Sequence, residues 1–250
     1  MIYYFSATGN TLSLVIKIAK GTNDSLCPMG KVTTEQLEGN VVGLAFPVFY
    51  GDVPKNVIAF LKSHTFPKNT YIYGVATCGE TYGRVFTTLR RLLESQGSHL
   101  DCSFVFKSIA NSTIAVRSHI PYAWPKLAKE EAAAEAISKA INERKQDHSL
   151  EGSSLIAGFY FSGVGQAFDR WYFGLSVDPK LCIKCGLCAS LCPMKNITIG
   201  QQGARIGKKC LHCLACIHHC PKQAILVRGK HILKEDQYNH PGISVEELKV

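Results

Sequence analysis

Eight of the eleven cysteines in this 250-residue chain stand in two short runs with the same spacing. Each run reads C-x2-C-x2-C-x3-C-P, and the second begins 28 residues after the first. The runs comprise Cys182, Cys185, Cys188, Cys192 and Pro193, and then Cys210, Cys213, Cys216, Cys220 and Pro221. Such spacing is typical of iron–sulfur ligands, because three thiolates on a tight loop can reach three corners of a cubane cluster. The two runs therefore predict iron–sulfur chemistry in the C-terminal part of the chain.

Zinc sites and disulfide frameworks are the alternatives for a cysteine-rich segment. Zinc ribbons use C-x2-C pairs with longer gaps, and disulfide frameworks belong to secreted proteins. The N-terminal residues 1–8 contain no basic segment, so they do not resemble a secretion signal. We therefore predict a reducing, cytoplasmic environment in which the thiols bind metal. Three histidines lie among the cysteines and are expected to be surface or supporting residues rather than ligands: His212, His218 and His219.

The chain is basic, with a formal charge of +9, although bound clusters and phosphate would offset part of this charge. It has no basic helix or aromatic stacking motif of the kind that binds nucleic acids, so no nucleic-acid partner is expected. The longest apolar stretch, residues 155–168, contains glycine and serine and is shorter than a membrane span. No membrane-spanning helix is therefore expected.

Apolar, strand-like runs alternate with amphipathic, helical ones over residues 1–148. Strands are predicted at residues 2–5, 41–46, 71–76 and 104–109, with a weaker one at 25–29. Helices are predicted after Thr11 and at residues 57–61, 84–94 and 125–144. This alternation predicts an α/β fold with a doubly wound, five-stranded parallel sheet.

Changes in composition divide the remaining residues into three segments. Residues 149–176 are rich in glycine, serine and aromatic residues, and we predict a connector whose aromatic side chains pack against one or both domains. Residues 177–230 hold both cysteine runs and are predicted to form a second, small α+β domain. The polar residues 231–250 are predicted to form a tail. The connector aromatics are Phe159, Tyr160, Phe161, Phe168, Trp171, Tyr172 and Phe173.

A loop of small polar residues joins the first predicted strand to the first predicted helix. It consists of Ser6, Ala7, Thr8, Gly9, Asn10 and Thr11. Hydroxyls and amides at a helix N-terminus can bind a phosphate, although an ordinary capped helix uses the same residue types. Doubly wound sheets bind their ligands at this end of the strands, which favours the phosphate interpretation.

This loop resembles the phosphate loop of flavodoxins, Ser/Thr-x-Thr-Gly-Asn-Thr, and the resemblance covers about residues 1–147. It implies FMN bound by Ser6, Thr8, Gly9, Asn10 and Thr11, by Pro47, Phe49, Tyr50 and Gly51, and by Thr77, Cys78, Gly79, Tyr82 and Gly83. Tyr50 or Tyr82 would lie beside the flavin ring, and the Gly51–Asp52 peptide could flip to hydrogen-bond the reduced flavin. Cys78 is expected to be a small buried residue.

The cysteine runs resemble those of two-cluster bacterial ferredoxins, in which the fourth cysteine of each run ligates the other cluster. The resemblance implies one [4Fe–4S] cluster on Cys182, Cys185, Cys188 and Cys220, and another on Cys210, Cys213, Cys216 and Cys192. Gly186 would allow backbone amides to approach sulfur. Leu214 holds the equivalent position of the second run, so the amide pattern is expected to differ there.

The whole chain resembles flavodoxin–ferredoxin fusion proteins of bacteria and archaea. This resemblance implies an electron-transfer flavoprotein that passes electrons between FMN, two [4Fe–4S] clusters and an external redox protein. The alternatives are an FMN-dependent reductase of a small acceptor, fed by the clusters, and a flavin- or iron-sensing regulator. Residues 177–230 contain nine lysines and arginines against one acid, a formal charge of +8. This excess favours an acidic partner, unless it only offsets cluster charge. The sequence does not indicate an oligomeric state.

Overall fold

The structure is a computed structural model that describes residues 1–115, 124–150, 152–160 and 162–250. The chain divides into two compact units. The first contains residues 1–6, 10–109 and 124–157, and the second contains residues 7–9, 110–115 and 158–250.

The first unit is a five-stranded parallel sheet with the strand order β2-β1-β3-β4-β5. Its elements are β1 (Ile2–Tyr4), α1 (Asn10–Thr22), β2 (Leu26–Pro28), β3 (Val41–Pro47), α2 (Lys55–Ser63), β4 (Tyr71–Cys78), α3 (Val85–Glu94), β5 (Cys102–Lys107) and α4 (Glu130–Asn142). This is the flavodoxin strand order, so the predicted fold class is confirmed. The order reverses beside β1, where Ile2 pairs with both Leu26 and Gly43.

Helices cover the sheet because its central strands are apolar on both faces. The interior of β3 is inaccessible from Val42 to Phe46. Helix α1 packs against α4, and α2 packs against α3. The apolar side chains of α1 are buried except at Ile16, which is 38% exposed.

A buried carboxylate joins α1 to α4. Glu130 is only 1% exposed, and it accepts hydrogen bonds of 2.5 Å from both Lys17 Nζ and Ser13 Oγ. These contacts tie together the two helices that follow the first and last strands.

The predicted connector contains two helices, α5 (Leu155–Tyr160) and α6 (Gly163–Tyr172). Its aromatic side chains follow the prediction only in part. Trp171 is 78% exposed and Phe159 is 45% exposed, whereas Arg228 of the cysteine-rich part lies 4.2 Å from the Tyr172 ring centroid. The rings of Phe168 and Tyr172 stack 5.4 Å apart. Phe161 lies outside the described residues. Among the helices of the described ranges, none combines the length and the apolar character that crossing a membrane requires.

The cysteine-rich part of the second unit is a small α+β arrangement, as predicted. Its elements are β6 (Leu175–Val177), α7 (Leu187–Ser190), β7 (Ile197–Gly200), β8 (Gly203–Ile206), α8 (Ala215–His219) and β9 (Ile225–Val227). Strand β6 pairs antiparallel with β9, and β7 pairs antiparallel with β8. Ile217, Ile225 and Val227 lie in its apolar core.

Residues 231–250 pack against this unit rather than extending from it. Tyr238 is 1% exposed and Ile243 is 4% exposed. The side-chain amide of Gln237 donates to the carbonyl oxygens of Ile217 at 2.7 Å and Cys220 at 2.9 Å. Polar composition predicted a tail because the few apolar residues of this segment have no regular period.

Candidate functional site

Two cavities in the second unit are each lined by four cysteines. The first, of about 390 Å³, is lined by Cys182, Cys185, Cys188 and Cys220. The second, of about 370 Å³, is lined by Cys192, Cys210, Cys213 and Cys216. The fourth cysteine of each run therefore faces the cavity of the other run. The thiols surround space rather than converging on one point, and among the described residues no His, Cys, Asp and Glu group is arranged to hold a single metal ion.

The buried thiols of both cavities resist ionisation. Burial raises the pKa of Cys188 to about 11, with smaller contributions from the neighbouring Cys185 and Cys220. Burial likewise raises the pKa of Cys213 to about 12, with smaller contributions from Cys210 and Cys192. In both cases one of the neighbours is the fourth cysteine of the other run. The thiols are protonated at neutral pH unless a cation compensates their charge.

The two cysteine loops repeat the same unusual backbone conformation 28 residues apart. Positive φ angles occur at Lys184 (58°) and His212 (51°), at Gly186 (79°) and Leu214 (60°), and at Lys195 (48°) and Gln223 (46°). A left-handed residue that is not glycine costs about 1 kcal/mol. Leu214 thus adopts the conformation that Gly186 adopts, and both precede a short helix. Strain of this kind, repeated at a cavity, is typical of functional loops.

Backbone amides donate hydrogen bonds to several of the cysteine sulfurs, including Cys182, Cys192, Cys210 and Cys220. The amides of Asn196 and Ala224 lie 3.4 and 3.3 Å from the sulfurs of Cys192 and Cys220, each four residues earlier in the chain. The amide pattern is therefore the same around the fourth cysteine of each run.

The other two sulfur bonds are not equivalent. Ala204 donates to Cys182 at 3.4 Å, whereas His212 donates to Cys210 at 3.3 Å. The expected difference between the runs lies here, and not in the backbone of Gly186 and Leu214.

The three histidines among the cysteines contact other groups with their ring nitrogens. His212 Nδ1 pairs with the Asp169 carboxylate of α6. His218 accepts from the amide of Tyr238 at 2.9 Å, and burial lowers its pKa to about 3, so its ring is neutral. His219 Nε2 lies 2.9 Å from the side-chain oxygen of Asn239. These contacts agree with the expected supporting role.

The phosphate-type loop of residues 6–11 leads into α1. Ser6 Oγ accepts from the amide of Leu12 at 3.3 Å, and Thr11 Oγ1 lies 2.7 Å from Thr77 Oγ1. The side chain of Asn10 donates to the carbonyl oxygen of Ile109 at 3.0 Å. The loop after β1 is thus bonded to the end of β4.

Several backbone amides of this loop have no acceptor among the described residues. Within the part of the chain that the structure describes, no oxygen accepts from the amides of Thr8, Gly9 or Thr11. Thr8 and Thr11 are 2% and 1% exposed. Buried amides without acceptors at the start of a 13-residue helix fit an anionic ligand such as a phosphate.

Residues distant in sequence pack on Thr8 and Gly9 within the second unit. Asn111 Nδ2 donates to Thr8 Oγ1 at 2.8 Å, and the amide of His240 donates to the Thr8 carbonyl oxygen at 2.9 Å. A Cβ atom on Gly9, whose φ is +97°, would lie 2.6 Å from His240 Cβ. Sequence reasoning missed Asn111 and His240, since neither stands in a motif.

The second and third predicted loops are held together by their backbones. The Val48 amide donates to the Thr77 carbonyl oxygen at 2.8 Å, and the Arg84 amide donates to the Gly51 carbonyl oxygen at 2.8 Å. A Cβ atom on Gly83 would lie 2.2 Å from Gly51 O, so only glycine permits this approach.

Asp52 and Arg84 form an ion pair beneath this contact. Asp52 is 1% exposed, and its carboxylate accepts from Arg84 Nε at 2.6 Å and from the Val53 amide at 2.8 Å. Arg84 follows the predicted third loop and was not among the predicted site residues. Its partner could not be identified from local spacing, because the two residues are 32 positions apart.

The remaining predicted residues of these loops are placed as follows. Pro47 ends β3, Tyr50 has a φ of 53°, and the Gly79 carbonyl oxygen accepts from Lys126 Nζ at 2.9 Å. The Phe49 and Tyr82 rings contact Phe5 and Phe86, at centroid distances of 6.0 and 6.1 Å. Cys78 is 7% exposed, and burial raises its pKa to about 11, so it is a buried, protonated thiol as expected.

Comparison with known proteins identifies the cysteine-rich segment. Residues 174–221 match the family model of the 4Fe-4S dicluster domain. Over 56 residues the chain is 32% identical to a ferredoxin of Pyrobaculum islandicum, which covers 22% of this chain and 52% of that protein. The chain thus spans about half the length of this curated relative. These matches confirm the predicted ferredoxin-type iron–sulfur domain.

Solved flavoproteins align with part of the chain at low identity. A candidate flavoprotein of Bacteroides uniformis is 15% identical with a TM-score of 0.37, covering 46% of this chain and 93% of its own. An archaeal flavodoxin is 13% identical with a TM-score of 0.32, covering 56% of this chain and 96% of its own. Because these TM-scores lie below 0.5, the fold assignment rests on the strand order of the sheet itself.

Proposed function

We propose that this chain is an electron carrier that binds FMN at the loops after β1, β3 and β4 and two [4Fe–4S] clusters in its cysteine-rich part. The observation that carries the proposal is the pair of four-cysteine cavities, each combining three cysteines of one run with the fourth of the other. When bound, each cluster exchanges single electrons, whereas the flavin exchanges one or two. An external redox protein supplies or removes these electrons.

The arrangement of the thiols supports a cluster rather than a zinc ion. A zinc ion draws four sulfurs to about 2.3 Å from one centre, and among the described residues no group of His, Cys, Asp and Glu side chains is arranged to hold a single metal ion. We assign one cluster to Cys182, Cys185, Cys188 and Cys220, and the other to Cys210, Cys213, Cys216 and Cys192.

The surroundings of the cysteines would tune the bound clusters. Binding requires thiolates, so the raised pKa values of Cys188 and Cys213 mean that protons are released as metal enters. Amide hydrogen bonds to the sulfurs of Cys192 and Cys220 stabilise the more negative, reduced state and so raise the potential.

The loops after β1, β3 and β4 support an FMN site. The amides of Thr8, Gly9 and Thr11 would receive the phosphate oxygens. Tyr50 and Tyr82 stand on the loops that would flank the ring. Gly51 O accepts from the Arg84 amide at 2.8 Å, so a flip of the Gly51–Asp52 peptide toward a reduced flavin would have to break this bond.

Anaerobic reconstitution with iron, sulfide and FMN tests the proposal. We expect about eight irons, about eight sulfides and one FMN per chain, with reversible reduction seen by optical and EPR spectroscopy. One or two zinc ions with no flavin would refute it.

Paired serine variants test the crossed assignment. Cys220→Ser and Cys185→Ser should perturb the same EPR signal, while Cys192→Ser and Cys213→Ser should perturb the other. Cys27→Ser, outside both cavities, serves as the control and should leave both signals intact. If Cys220→Ser instead altered the same signal as Cys213→Ser, the clusters would not be crossed.

A further inference from the structure

The two cysteine cavities differ in the exposure and charge of the residues that line them. Cys185 of the first cavity is exposed, whereas Cys216 of the second is 8% exposed. Among the described residues that line the second cavity, none is charged. The first cavity is lined by two lysines, Lys184 and Lys222, both of which are exposed.

We propose that the exposed rim of the first cavity is the docking face for an acidic electron-transfer protein. This inference rests on the proposed function. The docking face is defined by Ile183, Lys184, Cys185, Ile199 and Lys222, all of which line the cavity and are exposed.

The centre of the docking face is apolar. Ile183 is 57% exposed and Ile199 is 40% exposed, and both line the same cavity. Large aliphatic side chains that remain in solvent beside a functional site are typical of binding surfaces. An apolar centre with a polar rim is the usual anatomy of a protein–protein interface.

The rim of the docking face is positively charged without compensation. Neither Lys184 nor Lys222 forms an ion pair within the described residues, and no acidic side chain lines the first cavity. All nine lysines and arginines of residues 177–230 are exposed. Exposed positive charges of this kind would attract an acidic partner and orient it.

Docking at this face would also place the partner over the cavity with the most exposed cysteine. The second cavity has no exposed cysteine, and among the described residues its lining carries no charge to attract a partner. We therefore assign exchange with the partner to the first cavity.

A binding experiment on the reconstituted, full-length protein tests the docking face. Isothermal titration calorimetry measures its affinity for two probes, an acidic plant-type ferredoxin and the basic protein cytochrome c. We expect binding of the acidic probe alone, weakened at least tenfold when salt rises from about 20 to about 200 mM. Binding of cytochrome c instead, or of neither probe, would overturn the proposal.

Two double variants with the same change in charge locate the surface. Lys184→Glu with Lys222→Glu should weaken binding of the acidic probe at least tenfold, because both changes fall on the rim. Lys208→Glu with Lys209→Glu, at exposed positions that line neither cavity, should change it less than threefold. Equal losses in the two double variants would mean that only net charge matters, and the docking face would be refuted.

Ile183→Ser should weaken binding with no change in salt dependence, whereas an unchanged affinity would count against the apolar centre.

Two further measurements separate the possible failures. Sedimentation with phosphatidylserine vesicles tests whether an anionic membrane occupies the docking face. The proposal would be overturned if the protein bound these vesicles through Lys184 and Lys222 but did not bind the acidic probe. Iron and flavin contents are measured for every variant. Protein that takes up no clusters would refute the proposed function and this inference together, while loaded protein that fails to bind refutes the docking face alone.

Discussion

Replacing Arg84 by alanine should destabilise the loops that join the ends of β3 and β4. The Asp52 carboxylate is 1% exposed and accepts from Arg84 Nε at 2.6 Å. Removing one partner of a buried ion pair costs about 3–5 kcal/mol. Because the Arg84 side chain is 34% exposed, solvent screens part of the interaction, and the Val53 amide remains bonded to Asp52. We therefore expect a loss of about 2 kcal/mol in local stability, or roughly thirtyfold in the opening equilibrium.

Native-state hydrogen exchange read by mass spectrometry measures this loss without unfolding the whole two-unit chain. Peptides that contain Val53 and Arg84 report the opening of the loops. Arg91→Ala is the matched control. Arg91 lies exposed on α3, the helix that follows Arg84, and it forms no ion pair within the described residues. The control should change stability by less than about 0.5 kcal/mol.

A double-mutant cycle with Asp52→Asn isolates the interaction between the two side chains. The two single variants should be costly and the double variant less costly than their sum. A coupling energy near zero, or an Arg84→Ala effect no larger than that of Arg91→Ala, would refute the ion pair as the support of the Gly51 peptide.

Three further predictions follow from burial and backbone geometry. The pKa of Cys78 is about 11 instead of 9.0, so only about one thiol in a thousand is ionised at pH 8. At pH 8, iodoacetamide should alkylate Cys78 about a hundredfold more slowly than an ordinary thiol, and the alkylation rate should rise with pH up to about 11. Rapid labelling at pH 8 would contradict the burial of Cys78. Gly186→Ala should lower the free energy of unfolding by only about 1 kcal/mol, since no atom lies within 4 Å of the new Cβ. Leu214→Ala should lower it by about 2–5 kcal/mol, because the Leu214 side chain is 3% exposed. Equal losses in thermal unfolding would be inconsistent with this difference. Gly9→Ala should reduce the melting temperature through both its φ of +97° and the contact with His240, and His240→Gly should restore only the steric part.

Local patterns predicted most of the fold of the first unit. The apolar runs that became β1, β3, β4 and β5 were identified within two or three residues, because buried parallel strands are apolar throughout. The loop of residues 6–11 was placed correctly at the start of α1, since its small polar residues directly follow a strand. The packing of the connector was predicted correctly for Tyr172 and wrongly for the exposed Trp171, because composition indicates a preference for burial but not the presence of a surface to pack against.

By itself, the sequence determined the iron–sulfur character of the C-terminal domain and the parallel sheet of the N-terminal one. Both depend on spacings within short segments, and a ligand run or a strand period is readable from neighbouring residues. Only the tertiary structure decided that Leu214 would share the left-handed conformation of Gly186, that Arg84 would pair with Asp52, and that His240 would pack on Gly9. Each of these features depends on packing between residues that are distant in the sequence, so a local sequence pattern does not reveal it. The exposed lysines at the first cavity likewise became a surface only when the loops folded around the cysteines.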